Sequence, residues 1–220
     1  MKFLHHLFSS NKQTGFDNVQ GCDDIKDIVR RVLSLDENYN LLFCGPPASA
    51  KTLFLLGILA CRKGAYFDGS NTTNRIVDVL EEERPKVICI DELDKMSQFQ
   101  NQLLNFLESG RIKVDQQRKS YDFKIKGAKV FAACNEINRL SIPLQSNFRR
   151  LYLPSYTKEQ FLNIAVKIRP KLKEDISRII GEEVWETSKD VRDVVSLSKL
   201  IRKSEGPYEI EAIMRTGQIR

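Results

Sequence analysis

The chain has no apolar run long enough to cross a bilayer. Its longest, LFLLGILAC over residues 53–61, falls well short of the roughly 20 residues a spanning helix needs. The N-terminal MKFLHHLFSS does not read as a secretory signal, because two histidines break its apolar stretch and no small-residue cleavage site follows. His5 and His6 are the only histidines, and side by side near the terminus they read as a solvated tail rather than a metal site. Cysteine is sparse and scattered: Cys22, Cys44, Cys61, Cys89 and Cys134 include no C-x-x-C pair. Cys44, Cys89 and Cys134 sit inside apolar runs, where cysteine acts as a small hydrophobe. These absences favour a soluble, reduced, cytoplasmic chain without a membrane partner over a disulfide framework or a zinc site. Internal repeats and low-complexity linkers are also missing.

The 220 residues, 41% of them hydrophobic, suffice for one substantial core with a small satellite. The formal charge of +6 suits a nucleic acid or an acidic partner without selecting either. Segment 22–33 places Ile25, Ile28, Val29, Val32 and Leu33 on one helical face, with Cys22 or Asp23 at its start. Residues 40–44 read as a buried strand, and 51 to about 62, apolar nearly all round, as a buried helix. Further strands are expected over 65–67, 86–92, 128–135 and 149–154, with helices from about 75 to 83 and over 98–110. Apolar strands alternating with helices predict a parallel α/β sheet covered on both faces. After Pro154 the strands stop, and three segments of helical spacing predict a small all-α domain.

The loop Gly45-Pro46-Pro47-Ala48-Ser49-Ala50-Lys51-Thr52 lies between a strand and a buried helix, where a phosphate-binding loop belongs. Its free N–H groups and the helix N-terminus would surround phosphates; Lys51 would reach the β- and γ-phosphates and Thr52 would ligate Mg²⁺. Two alanines depart from the glycine-rich pattern. Ala50 fits if its backbone is already helical, whereas Ala48 is awkward if φ must be positive.

VICIDE, residues 87–92, reads as a strand beside that loop ending in two carboxylates. Asp91 would hold Mg²⁺ through its water shell, and Glu92 would orient and deprotonate the attacking water. Asn135 ends the next strand, at the rim where ligands of open α/β sheets bind, and its amide would position that water.

These motifs together resemble the AAA+ ATPases over about residues 16–203. GFDNVQGCDDI resembles the segment that packs on adenine, which assigns Val19 and Gln20 to nucleotide binding. GPPASAKT stands for Walker A, VICIDE for Walker B and Asn135 for sensor 1. KDVRDVV resembles the lid motif, with Arg192 as sensor 2 on the γ-phosphate. The resemblance implies a P-loop NTPase with ATP and Mg²⁺ as ligands, bound at the junction of core and lid. It divides the chain into a tail (1–15), an α/β nucleotide-binding domain (16–155), a helical lid (156–204) and a second tail (205–220).

Within the superfamily the chain looks most like the RuvB-like branch-migration motors, and the Ala-Lys pair also looks like the MCM helicases. Segment 111–126 alternates Ile112/Val114 and Phe123/Ile125 around a polar middle and resembles the pre-sensor 1 hairpin that RuvB-like, MCM and MoxR-like proteins share. Arg111, Lys113, Arg118, Lys119, Lys124 and Lys126 against Asp115 and Asp122 would contact DNA phosphates without reading sequence. The loop FDGSNTTNR lacks the aromatic–apolar–Gly signature of polypeptide-threading unfoldases.

Two departures matter. The arginine-finger pattern reads Ser146-Asn147-Phe148-Arg149-Arg150, so the arginine a ring neighbour would receive is Arg149 or Arg150. Only about 17 residues follow position 203, too few for the winged-helix domain of RuvB proteins. The expected protein is therefore a Mg-dependent ATPase in a homo-oligomeric ring that remodels DNA, with a separate DNA-binding partner. The alternative is a MoxR-like chaperone or nucleotide switch acting on a protein.

Overall fold

The computed structural model describes residues 15–115, 120–170 and 172–201. His5 and His6, Arg118 and Lys119, and the expectations for 202–220 lie outside the described residues. The chain divides into two compact units. Of the described residues, the first contains 15–17, 21–46 and those within 51–154; the second contains 18–20, 47–50 and those from 155 to 201.

The first unit runs α1 (Asp23–Ser34), β1 (Asn40–Cys44), α2 (Lys51–Cys61), β2 (Ala65–Phe67), α3 (Thr73–Glu83), β3 (Val87–Ile90), α4 (Ser97–Ser109), β4 (Arg111–Asp115), β5 (Ser120–Lys124), β6 (Lys129–Cys134), α5 (Ile142–Ser146) and β7 (Arg149–Tyr152). Local chemistry explains the helix ends. Asp23 and Asp24 in the first turn of α1 complement its dipole, and Ile25, Val29 and Val32 are its buried stripe. α3 starts earlier than periodicity alone suggests, because the Thr72 side chain accepts a hydrogen bond from the Arg75 N–H. α4 stops at Gly110, whose φ of 67° closes the last turn.

Five parallel strands form the sheet, in the order β2-β3-β6-β1-β7. The strand that precedes Asp91 and the strand that leads into the Gly45–Thr52 loop are not direct neighbours: β6, far later in sequence, inserts between them. Its register sets Cys44 against Cys134 and Ile90 against Ala132, so β1, β3 and β6 end at one rim.

Successive strand residues point to opposite faces. Leu42, Ile88, Ile90, Val130 and Ala132 pack with Ile76, Leu80, Phe99, Leu103 and Phe106 of α3 and α4. On the other face Phe43 stacks on Phe54 of α2, with ring centroids 5.2 Å apart, and Phe54 also meets Phe16. Burial on both faces is why β1, β3 and β6 read as continuous apolar runs.

β4 and β5 form the expected antiparallel hairpin, a two-stranded sheet separate from the main one. Its inward residues Ile112, Tyr121 and Phe123 join the core, as does Ile125 just beyond β5. The Tyr121 hydroxyl donates to Asp78 Oδ1 at 2.5 Å, and the Arg84 guanidinium lies over the Phe123 ring.

The second unit contains α6 (Lys158–Ile168), α7 (Glu174–Glu186) and α8 (Val191–Ser198). α6 begins with a capping box: the Thr157 side chain accepts from the Gln160 N–H while the Gln160 side chain accepts from the Thr157 N–H. Phe161, Ala165, Ile176, Ile180, Val184 and Val194 form its core, and Trp185 packs on Phe161. α8 ends at Ser198, short of the apolar Leu200 and Ile201. Its last turn tightens, Leu200 N–H reaching Leu197 O, and Leu200 is exposed while Ile201 returns to the core.

Candidate active site

The loop after β1 starts at Gly45 and ends where Lys51 opens α2. Lys51 is buried, and its Nζ donates to the carbonyls of Gly45 at 2.8 Å and Pro46 at 2.6 Å. Burial holds its pKa below the ordinary lysine value, against the opposing pull of Asp91. Ala48 O accepts from the Tyr156 N–H at 2.7 Å, and Ser49 bridges to Ser155. Ala48 has a φ of 55°, in the left-handed region, whereas Ala50 is buried and does not share that conformation. The glycine rule thus applies at the first alanine and not at the second.

Asp91 follows β3 and is 2% exposed, a burial that a carboxylate tolerates only with donors around it. Its Oδ2 accepts from Thr52 Oγ1 at 2.8 Å and from the Tyr66 hydroxyl at 3.0 Å, and its Oδ1 accepts from the Glu92 N–H at 3.0 Å. Thr52 and Asp91, far apart in sequence, therefore form one pair of hard oxygen donors. Mg²⁺ prefers this donor type, keeps several waters and completes its shell with phosphate oxygens, so the pair fits it.

Glu92 sits at a left-handed backbone position, φ 54°, at the start of a 3₁₀ turn over Leu93–Lys95. That turn brings Lys95 Nζ to 3.1 Å from Glu92 Oε1. Gly69 leaves room for this carboxylate, since a Cβ there would lie 3.0 Å from Glu92 Oε2. Asn135 is half-buried at the end of β6. Its N–H donates to Asp94 Oδ1 at 3.2 Å, and the Glu136 N–H donates to Asp94 Oδ2 at 3.3 Å. Asp94 thus clamps the turn that presents Asn135.

Tyr66 and Asp94 were missed by sequence reasoning. Asp94 carries a weak signal, a third acid three residues after Asp91. Tyr66 carries none, because an aromatic in a short strand reads as packing.

The remaining expected residues lie elsewhere in the two units. Arg149 and Arg150 begin β7, an edge strand, and both are exposed. In the second unit Val19 is buried and Gln20 half-buried. Arg192, in the first turn of α8, binds its own N-cap: Nε and Nη2 approach Asp190 Oδ2 at 2.8 and 2.6 Å, while Asp190 Oδ1 accepts the Arg192 N–H. On the hairpin, Arg111 forms a bidentate pair with Asp122, Nε to Oδ1 being 2.5 Å; Lys113 and Lys124 share that exposed face. Lys126 is exposed beyond β5. Among the described residues no helix is long and apolar enough to cross a membrane.

Comparison with known proteins agrees with this geometry. The chain is 21% identical over 218 residues to the replication factor C small subunit of Saccharolobus solfataricus, covering 90% of this chain and 62% of that protein. Among solved structures, a mutant of RuvB from Thermotoga maritima superposes with a TM-score of 0.56 at 18% identity, over 88% of this chain and 66% of that one. The T. maritima RuvB described as a Holliday junction branch migration motor gives a TM-score of 0.51 at 20% identity, over 81% of this chain and 61% of that one. At these identities the superpositions show the shared fold. The chain spans less than two thirds of the length of each of these relatives. The family described as ATPases associated with various cellular activities matches residues 41–156, more than half the chain, and the protein belongs to these AAA ATPases.

Proposed function

We propose that the chain is a Mg²⁺-dependent ATP hydrolase that works as an oligomeric motor on DNA, in the manner of the RuvB-like proteins. The observation that carries the hydrolase part is the 2.8 Å contact between Thr52 and Asp91, with Glu92 next in sequence and Asn135 on the neighbouring strand. In this reading Lys51 leaves the Gly45 and Pro46 carbonyls for the β- and γ-phosphates, gaining a charged partner for a buried ammonium. Bound Mg²⁺ would neutralise charge on the phosphate oxygens. Glu92 accepts the proton of the attacking water, and Asn135 holds that water in line. Arg192 exchanges Asp190 for the γ-phosphate, while Val19 and Gln20 border the adenine. Arg149 or Arg150, exposed on an edge strand, acts on the nucleotide of the next subunit.

DNA as the substrate is supported by the hairpin, whose exposed face carries Lys113 and Lys124 and is followed by Lys126. The RuvB fold and the replication factor C relative point in the same direction. One observation favours a second reading, a MoxR-like chaperone or switch with a protein partner. Arg111 is already bound to Asp122, which takes one cation away from phosphate contact.

Steady-state ATP hydrolysis with single-stranded, duplex and four-way-junction DNA, at low and moderate salt, separates the two. Stimulation that fades steeply with salt is the expected result, since phosphate contacts release counterions. Hydrolysis indifferent to every DNA would sink the motor reading. Glu92→Gln should keep ATP binding and abolish turnover, and unchanged turnover would remove Glu92 from its role.

A further inference from the structure

The short edge strand β2 holds Asp91 in two ways at once. The Phe67 carbonyl accepts the Asp91 N–H at 2.8 Å, and the Tyr66 hydroxyl donates to Asp91 Oδ2 at 3.0 Å. Tyr66 and Phe67 are register partners of Cys89 and Ile90, so the strand delivers the hydroxyl to the residue that follows β3. A carboxylate has about four lone-pair sites. Thr52 Oγ1 and the Tyr66 hydroxyl occupy both sites of Asp91 Oδ2, and the Glu92 N–H binds Oδ1. The two hydroxyls on Oδ2 come from two different segments and set the carboxylate plane.

We propose that Tyr66 is a positioning residue for the cation: by occupying the second site of Asp91 Oδ2 it holds the carboxylate in the orientation in which Thr52 and Asp91 would receive Mg²⁺. This rests on the ATPase reading of the same site. The phenol is half-buried, and its hydrogen bond to a charged acceptor belongs to the stronger class. Losing it frees the carboxylate to turn about its side-chain torsion. The carboxylate's orientation toward the cation is then lost, while the contacts of Lys51 and the loop with the phosphates are untouched. The change should appear in cation affinity and not in nucleotide affinity measured without the cation.

The test is Tyr66→Phe, which keeps the ring in place, compared with the unchanged chain and with Phe67→Leu, which alters the same strand without removing a donor. Binding of a fluorescent ATP analogue is titrated with Mg²⁺, and hydrolysis is measured over the same range. For Tyr66→Phe the Mg²⁺ midpoint should rise about tenfold in both titrations, with binding in EDTA unchanged and kcat at saturating Mg²⁺ within about twofold, the loss expected for one charge-assisted hydrogen bond. Phe67→Leu should leave the midpoint in place. An unmoved midpoint in Tyr66→Phe overturns the proposal and leaves the ATPase reading standing. Equal shifts in both variants, or lost binding in EDTA, would mean that Tyr66 only supports packing, and also overturn it. If the unchanged chain binds no nucleotide at any Mg²⁺ concentration, the ATPase reading falls and the proposal with it.

Discussion

Ala48→Gly should make this protein more stable, although it deletes a side chain from the loop between β1 and α2. Ala48 has a φ of 55°. An L-residue in that region brings its Cβ against the following carbonyl, at about 1–2 kcal/mol. Glycine removes that strain but adds unfolded-chain entropy that opposes folding by about 0.4–1 kcal/mol. The balance is a gain of roughly 0.5–1 kcal/mol, or about 1–4 °C in melting temperature for a chain of this size. Ala50→Gly is the internal control. Ala50 is 1% exposed, immediately precedes α2 and does not have a positive φ. Glycine there relieves nothing and should lose about 1 kcal/mol through entropy and lost burial. Thermal melts and urea titrations of the two variants beside the parent should therefore move in opposite directions. A destabilised Ala48→Gly, matching Ala50→Gly in sign and size, would refute the reasoning from backbone strain.

Three further outcomes are expected. Burial depresses Lys51 from its ordinary 10.5, so the unfolded chain binds that proton more tightly; the penalty on the folded state is complete below the depressed value and disappears as pH rises through 10.5. Urea titrations from about pH 8 to about pH 10.5 should show the parent gaining stability relative to Lys51→Met, and a constant difference would contradict the direction of the shift. Gly69→Ala would set a methyl 3.0 Å from Glu92 Oε2 and 3.2 Å from Lys95 Cβ, so kcat should fall roughly tenfold with ATP affinity little changed; an equal loss of affinity would place the damage elsewhere. Arg149→Ala and Arg150→Ala, made separately, should leave the melting temperature in place, because both side chains are exposed, and one of them should lower ATP turnover by roughly 10³ or more; if neither does, no arginine of that pair acts in trans.

Much of the site was legible from the chain alone, for identifiable reasons. Buried parallel strands must be apolar throughout, so NLLFC, VICI and KVFAAC announced themselves, and each is followed by a residue of chemical interest because strand ends are where polar groups reach solvent. The strand–loop–helix setting of residues 45–52 was readable despite the alanines because Lys-Thr opens a helix shortly after an apolar strand. Helix boundaries set by side-chain caps were less visible: Thr72 moved the start of α3, and a tightened last turn ended α8 before its apolar pattern did. The Tyr66–Asp91 hydrogen bond was hidden because a hydroxyl's partner across strands leaves no trace in periodicity.

The sequence by itself determined the kinds of elements, their order and the residue types at their ends, since these follow from local patterning and from the chemistry of turns and caps. It also carried the family, because the loop, the paired acids and the asparagine recur in fixed order. Only the tertiary structure decided that β6 enters between β1 and β3, which brings Gly45, Asp91 and Asn135 to one rim. It alone put Thr52 on Asp91, Tyr66 on the same oxygen, and Asp94 beneath Asn135. The physical reason is that strand order is settled by which apolar faces pack best across the whole sheet, and no short window of residues contains that comparison.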